Sequence, residues 1–383
     1  MAEPAESTVQ RAERAKQYER VHDILFAVDI IYTFGLMILF IATGGTGGWS
    51  ARLLEWIETW CANYWLQIAV YMGILTAGYM ALLLPLSFYS GFILEHKYDL
   101  SNETVGSWIK DKLKSFALNL IFMIALGEIM FFFFDLTETT WWLWAGLIWV
   151  LFGVVLSNLA PVLIIPLFYK LKPLDNPTLT DKLVSLAERV HAKILGVFEI
   201  ELSSKTKKAN AALTGLGNTK RILLGDTLLK NFDHEEIEVI LAHELGHYYY
   251  KHIWKLIGFG GIITIGGLYL TSIALSSLIG FFGYDSLMDI ASFPLFLMCM
   301  FAFALVTMPF NSTYSRMLEK QADLFALRET GKPEHFISSM RKLAELNLAN
   351  ENPNPVIEFL THSHPSIGKR VLLAEKFAAE NNA

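Results

Sequence analysis

Five consecutive residues, His243-Glu244-Leu245-Gly246-His247, carry the side chains of this chain best suited to chemistry. On an α-helix, residues four apart project from one face, so both imidazoles can offer a nitrogen to a single metal ion. The glutamate beside the first histidine then reaches the open side of that ion, where it can take a proton from a bound water. The chemistry this spacing predicts is metal-assisted peptide hydrolysis, with one zinc ion per chain as cofactor and Glu244 as general base. The flanks predict the helix that must present these groups. Asp233 is suited to be its N-cap, with Glu236 three residues on as capping-box partner. Ile237, Ile240, Leu241 and Leu245 follow at the spacing of one apolar face.

Two histidines leave a catalytic zinc site one protein ligand short. No third histidine follows at the spacing of the longer zinc motifs, so a distant glutamate is expected. Glu319, in Leu318-Glu319-Lys320-Gln321-Ala322-Asp323, is the candidate. Asp323, one helical turn later, can accept a hydrogen bond from the second ring nitrogen of a ligand histidine. Further on, His364 could donate to the oxyanion formed when water attacks a carbonyl, and the guanidinium fork of Arg370 could grip a substrate carboxylate. His362 is expected to be a surface residue.

These groups sit in an apolar chain. It is 53% hydrophobic and 18% charged over 383 residues, with mean hydropathy +0.39. Six stretches are long and apolar enough to cross a bilayer, near residues 24–43, 64–89, 116–134, 141–167, 254–282 and 293–310. The fifth and sixth form a hairpin that returns Glu319 to the side of the histidines. Trp141, Trp142 and Trp144 are read as an interfacial belt at one mouth of the fourth. Arg11, Arg14, Lys16 and Arg20 precede the first span, Lys97, Lys110, Lys112 and Lys114 follow the second, and Lys205, Lys207, Lys208, Lys220 and Arg221 follow the fourth. The alternate connections hold Arg52 alone. By the positive-inside rule both termini and the histidine helix are cytoplasmic. The two cysteines, Cys61 and Cys299, exclude a disulfide framework and a cysteine-ligated zinc site. The net charge of −6 is mild, and no nucleic-acid partner is expected.

The connection over residues 171–252 is too long for a simple loop and must fold. An amphipathic helix is predicted near 183–192, strands near 197–202, 209–214 and 221–224, and a turn at Gly215-Leu216-Gly217-Asn218, with the histidine helix running on into the fifth span. The expected fold is mainly α: a polytopic membrane helical bundle of about six spans with a small cytoplasmic α+β zinc-metalloprotease unit. Its parts are a membrane region of four spans (1–170), the α+β unit ending in the active-site helix (171–252), a membrane hairpin (253–312) and a C-terminal helical part carrying the third ligand (313–383).

In several stretches the chain resembles the type I CAAX prenyl proteases, membrane zinc endopeptidases. The resemblance covers residues 15–375 and rests on residues 85–95 with Tyr98-Asp99-Leu100-Ser101-Asn102, Ala160-Pro161, Pro166-Leu167-Phe168, Asn210-Ala211, residues 221–229, the histidine motif, Glu319 with Ala322-Asp323, and Ser363-His364-Pro365 with Arg370. It implies zinc held by His243, His247 and Glu319, Glu244 activating the water, and His364 beside the scissile carbonyl. It implies that Asn210 helps hold the substrate backbone or the oxyanion, that Ala211 beside it binds substrate, as when an extended peptide adds to an exposed strand, and that Arg370 lies near the substrate's C-terminal end. It also implies removal of the C-terminal tripeptide of a prenylated protein, inside a chamber enclosed by the spans. Asp29 and Glu128, within spans, are compatible with a wet interior. Eukaryotic members carry one more N-terminal span, aromatic residues where Ala212, Leu213 and Thr214 stand here, and a proline in place of Ser366. Those differences bear on substrate choice and leave open a broader quality-control endopeptidase. The expected partners are a peptide or protein substrate, lipidated or not, and membrane lipid. Six spans with buried acids would also suit a transporter, a channel or an inactive scaffold, but none of these accounts for Glu244 between two histidines.

Overall fold

The computed structural model describes residues 8–42, 48–215 and 219–381. Among the described residues, six helices are long and apolar enough to cross a membrane. They are contained in α1 (Thr8–Ile41), α3 (Tyr64–Lys97), α4 (Val105–Leu136), α5 (Trp141–Phe168), α9 (His252–Phe281) and α10 (Phe293–Thr330). The end of the first expected span, Thr43, lies outside the described residues. A short helix α2 (Trp49–Glu58) lies between the first two. Both α3 and α5 pass through a π-helical turn near their ends, at Tyr89–Ile93 and Ala160–Ile164.

Away from the histidines the spans are tied by an apolar cluster including Ile57, Tyr71, Met72, Phe131, Phe134, Trp141, Phe293 and Phe296. Trp141 is only 1% exposed, so it is a core residue and not part of an interfacial belt, while Trp144 remains exposed. Cys61, in the connection between α2 and α3, is buried in the same cluster. Burial of the spans is uneven, highest in the most apolar window of the sixth, at 44%. In the most apolar window of α5 only 6% is buried inside the protein, and in that of α1 11%.

At the other end lies a four-stranded sheet, β1 (Leu171–Pro173), β2 (Val197–Ile200), β3 (Ala211–Thr214) and β4 (Arg221–Gly225), in the order β1-β2-β4-β3. β2 and β4 are parallel; β1 and β3 pair antiparallel with them, Leu171 opposite Ile200 and Ala211 opposite Leu224. β2 stops short of its expected end because the backbone N–H groups of Leu202 and Ser203 both donate to the Asp226 carboxylate. β1 was not expected; three residues give too little alternation to read. Helix α6 (Pro177–Arg189) starts and ends earlier than its apolar spacing suggests, because Asn176 caps it from Leu179 N–H and Pro177 opens it. Of the expected turn, Gly215 is described at φ +90° and residues 216–218 lie outside the described residues.

After α7 (Asp226–Asn231) comes the histidine helix, α8 (His234–Tyr249). Its start is the expected capping box: Asp233 accepts from the N–H groups of Glu235 and Glu236, and Glu236 accepts from Asp233 N–H at 3.0 Å. Glu236 is 1% exposed and also takes Ser338 and Lys342, which ties α8 to α11 (Pro333–Asn347). Ile237, Ile240, Leu241 and Leu245 face one core with the sheet, α6 and α11. The helix does not run on into the fifth span. Lys251 takes the left-handed conformation, φ 56° and ψ 39°, and α9 begins anew at His252. α12 (Pro355–Thr361) and α13 (Ile367–Asn381) close the chain against α10 and α11.

Candidate active site

Helices α8 and α10 pack closely, and Gly246 permits it. A Cβ there would meet Ala322 Cα at 3.0 Å and Phe325 Cβ at 3.2 Å. The contact brings His243, His247 and Glu319 together, with one ligand atom of each within 4.8 Å of the others. The two histidine Nε2 atoms are 3.1 Å apart, His243 Nε2 is 3.2 Å from Glu319 Oε2, and His247 Nε2 is 3.3 Å from Glu319 Oε1. Ligands about 2.0–2.1 Å from a tetrahedral zinc ion lie about 3.3 Å from one another, so the three groups stand at the edges of such a site.

The donor chemistry fits a cation as well. Glu319 Oε2 is buried without a hydrogen bond, an orphaned acceptor that calls for a positive partner. Burial opposes charge on His243, yet the Asp323 and Glu319 carboxylates beside it lift it above the ordinary imidazole range. Burial and the charge of His243 push His247 down.

Asp323 lies where the sequence places it. Its Oδ1 is 2.8 Å from His243 Nδ1. A carboxylate accepts, so Nδ1 carries the proton and Nε2 faces the ligand cluster with its lone pair. Asp323 is 1% exposed and is also held by Arg370, whose Nε donates to Oδ2 at 2.9 Å and whose Nη2 donates to Oδ1. Arg370 is thus buried and engaged by an internal carboxylate; its Nη1 makes no hydrogen bond among the described residues.

A cavity of about 670 Å³ opens beside the cluster, lined by Asn210, Ala211, His243, Glu244, His364 and Arg370 among others. Desolvation raises the Glu244 carboxyl above its ordinary range, which suits a base near neutrality. Glu244 Oε2 accepts from the backbone N–H of Leu213 at 3.3 Å. β3 is an edge strand, and this bond shows which way Leu213 faces. Ala211, of the same parity, presents its N–H and C=O to the same open edge. His364 is exposed to the cavity with Nε2 3.4 Å from Glu319 Oε1.

Some residues at the site were missed. His362, expected on the surface, is half-buried, lines the cavity and lies 3.8 Å from Glu19. Tyr18, Glu19, His22 and Asp23 of α1 line the far wall, a role with no local signal in a charged segment leading into a span. His252 lies with Nδ1 3.0 Å from His247 Nδ1. Five residues along an unbroken helix would put it about 140° around from His247, so only the break at Lys251 brings the rings together.

Two family models cover the chain. One described as CAAX prenyl protease N-terminal, five membrane helices, matches residues 5–170, where this chain has four candidate spans among its described residues. The model of Peptidase family M48 matches residues 173–377. The chain is 30% identical over 375 residues to the uncharacterized metalloprotease YhfN of Bacillus subtilis, covering 96% of this chain and 86% of that protein. It is 32% identical over 326 residues to CAAX prenyl protease 1 of Saccharomyces cerevisiae, covering 80% and 71%. The crystal structure of S. mikatae Ste24p superposes with a TM-score of 0.83 at 25% identity, over 97% of this chain and 90% of that one. Six apolar helices, a sheet-bearing protease unit and a family that works with a metal converge on one conclusion: the chain belongs to peptidase family M48, as a multi-pass membrane metalloendopeptidase resembling the CAAX-processing proteases.

Proposed function

We propose that this chain is a zinc endopeptidase that cleaves near the C-terminus of lipidated peptides from the cytoplasmic side of a membrane. The observation that carries the chemistry is the triangle of His243, His247 and Glu319 at 3.1 to 3.3 Å. Zinc held there would polarise the scissile carbonyl and acidify a water beside it. Glu244 takes the proton of the attacking water and delivers it to the leaving nitrogen. His364, exposed to the cavity, donates to the oxygen on which negative charge grows. Asp323 keeps the His243 lone pair aimed at the cluster.

An extended peptide pairs with the open edge of β3, where the backbone of Ala211 faces out and Asn210 lines the cavity. Pairing fixes the backbone and brings one amide to Glu244. Arg370 holds Asp323 with two of its nitrogens and offers Nη1 to a C-terminal carboxylate. The name of the Saccharomyces cerevisiae relative, CAAX prenyl protease 1, supports a prenylated substrate. The basic residues of α1 and of the connections after α3 and α5 support a cytoplasmic site.

The test uses purified protein, a farnesylated CAAX peptide and an unlipidated unfolded protein. The expected result is cleavage of the farnesylated peptide, lost on chelation and restored by zinc, and lost by about 10²–10⁴-fold in Glu244→Gln, which cannot accept the proton. Equal cleavage of the unlipidated protein would shift the reading to general quality control. Full activity in Glu244→Gln would end the mechanism.

A further inference from the structure

We propose that His252, backed by Gln321, is a positioning residue that sets the tautomer of the metal ligand His247. The inference rests on the zinc-site reading above. His252 Nε2 is 3.1 Å from Gln321 Oε1, and His252 Nδ1 is 3.0 Å from His247 Nδ1. Each contact needs one donor and one acceptor. The amide oxygen of Gln321 only accepts, so Nε2 of His252 carries the proton. A neutral His252 then has its lone pair on Nδ1, and His247 Nδ1–H must donate to it. That leaves the lone pair of His247 on Nε2, the atom facing His243 and Glu319. Reversing every proton along this line would put one on Nε2 of His247 and close that position to a metal.

The two ligand histidines are therefore held by different partners. His243 donates to a carboxylate, Asp323; His247 donates to a neutral ring. Charge explains the difference. Glu244, Glu319 and Asp323 carry three negative charges at the site, and Arg370 with a zinc dication would balance them. A carboxylate in place of His252 would leave one negative charge uncompensated in a buried place.

The fold holds His252 for this task. It is 1% exposed, and its ring lies parallel to that of Tyr250, at 17° with centroids 5.7 Å apart. It follows Lys251, whose left-handed backbone is costly for a residue with a Cβ. Such strain persists where surrounding structure requires it. Gln321 is exposed, so water can substitute for it more readily than for His252.

The experiment measures zinc affinity of the purified full-length chain, stripped of metal, in competition with a chromogenic chelator. His252→Leu is expected to lose about 10–100-fold in affinity. His252→Gln, whose amide oxygen can accept from His247 Nδ1–H, recovers most of it, which a merely space-filling role would not predict. Gln321→Leu loses less than His252→Leu. Should His252→Leu fail to fold, Gln321→Glu and Gln321→Lys decide, measured at 1 M salt, where charges are screened within about 3 Å. The acceptor-only variant should bind at least as tightly as wild type and the donor-only variant about tenfold more weakly. Wild-type protein that binds no zinc would sink the zinc-site reading itself. Wild-type protein that binds zinc, with His252→Leu within about twofold of it or the two Gln321 variants equal, overturns the relay alone.

Discussion

Helix α10 joins two regions that hold their neighbours by different means. Near its start, Phe293 and Phe296 pack among Phe131, Phe134 and Trp141, with ring centroids 4.9 to 6.3 Å apart and mostly edge-on or tilted. Some 26 residues on, about 39 Å along the axis, Glu319 and Asp323 meet His243, His247 and Arg370. Among lipid tails the first region draws little from the hydrophobic effect and relies on many small packing contacts. In the second, a few buried charges satisfy one another, and each loss leaves a partner stranded. The apolar end should degrade in proportion to what is removed, and the charged end all at once.

The largest effect is expected at Asp323. Its carboxylate serves His243 and Arg370 together. Asp323→Leu should cost about 3–5 kcal/mol, the range for breaking a buried ion pair, and should lower zinc affinity as His243 loses its orientation. The double variant Asp323→Leu with Arg370→Met removes both charges. It should recover much of the thermal stability in detergent while zinc affinity stays low. If the double variant is no more stable than the single one, the pair is not the source of the loss.

Much of this end was legible in the sequence, for identifiable reasons. His243, Glu244 and His247 lie within one turn of one helix, where spacing alone fixes the geometry, and the capping box at Asp233 is equally local. Glu319 and Asp323 could be found because a span hairpin leaves few places for the returning chain. His252 could not be found, because its position depends on a single left-handed residue, Lys251, in a segment whose apolar pattern continues without a gap. Nor could the cavity wall on α1, since its residues reach the site through tertiary packing of a helix more than two hundred residues away in sequence. Trp141 was misplaced because an aromatic run at a span end has the same composition whether it faces lipid or a core.

A smaller effect is expected at Gly246, where the charged end depends on close packing. A methyl group there would press on Ala322 Cα and Phe325. Neither the backbone atom nor the ring of a residue buried against α8 yields cheaply, so Gly246→Ala should cost about 1–3 kcal/mol as overpacking. The displacement falls between His243 and His247 on one side and Glu319 and Asp323 on the other. Zinc affinity should drop with stability, although no ligand is altered. Zinc titration of Gly246→Ala matching wild type, with stability lowered, would mean that α8 and α10 move apart without opening the ligand triangle.

The smallest effect on the metal site is expected from the apolar end. Leu295 is fully buried in the aromatic cluster. Leu295→Met keeps nearly the same volume and a flexible side chain that can settle among the rings, so it should cost less than about 1.5 kcal/mol. Leu295→Ala leaves a cavity and should cost about 2–5 kcal/mol, a loss as large as that at Asp323 but of another kind. Glu319 lies 24 residues further along α10, about 36 Å away, beyond residues 297–311, of which Thr307 alone is buried. Both Leu295 variants should therefore bind zinc with wild-type affinity whenever they are folded, while Asp323→Leu should not. Thermal unfolding and zinc titration on the same preparations make the comparison. A parallel fall of zinc affinity and stability across the two Leu295 variants would show that α10 transmits strain along its length, and that the two ends act as one unit.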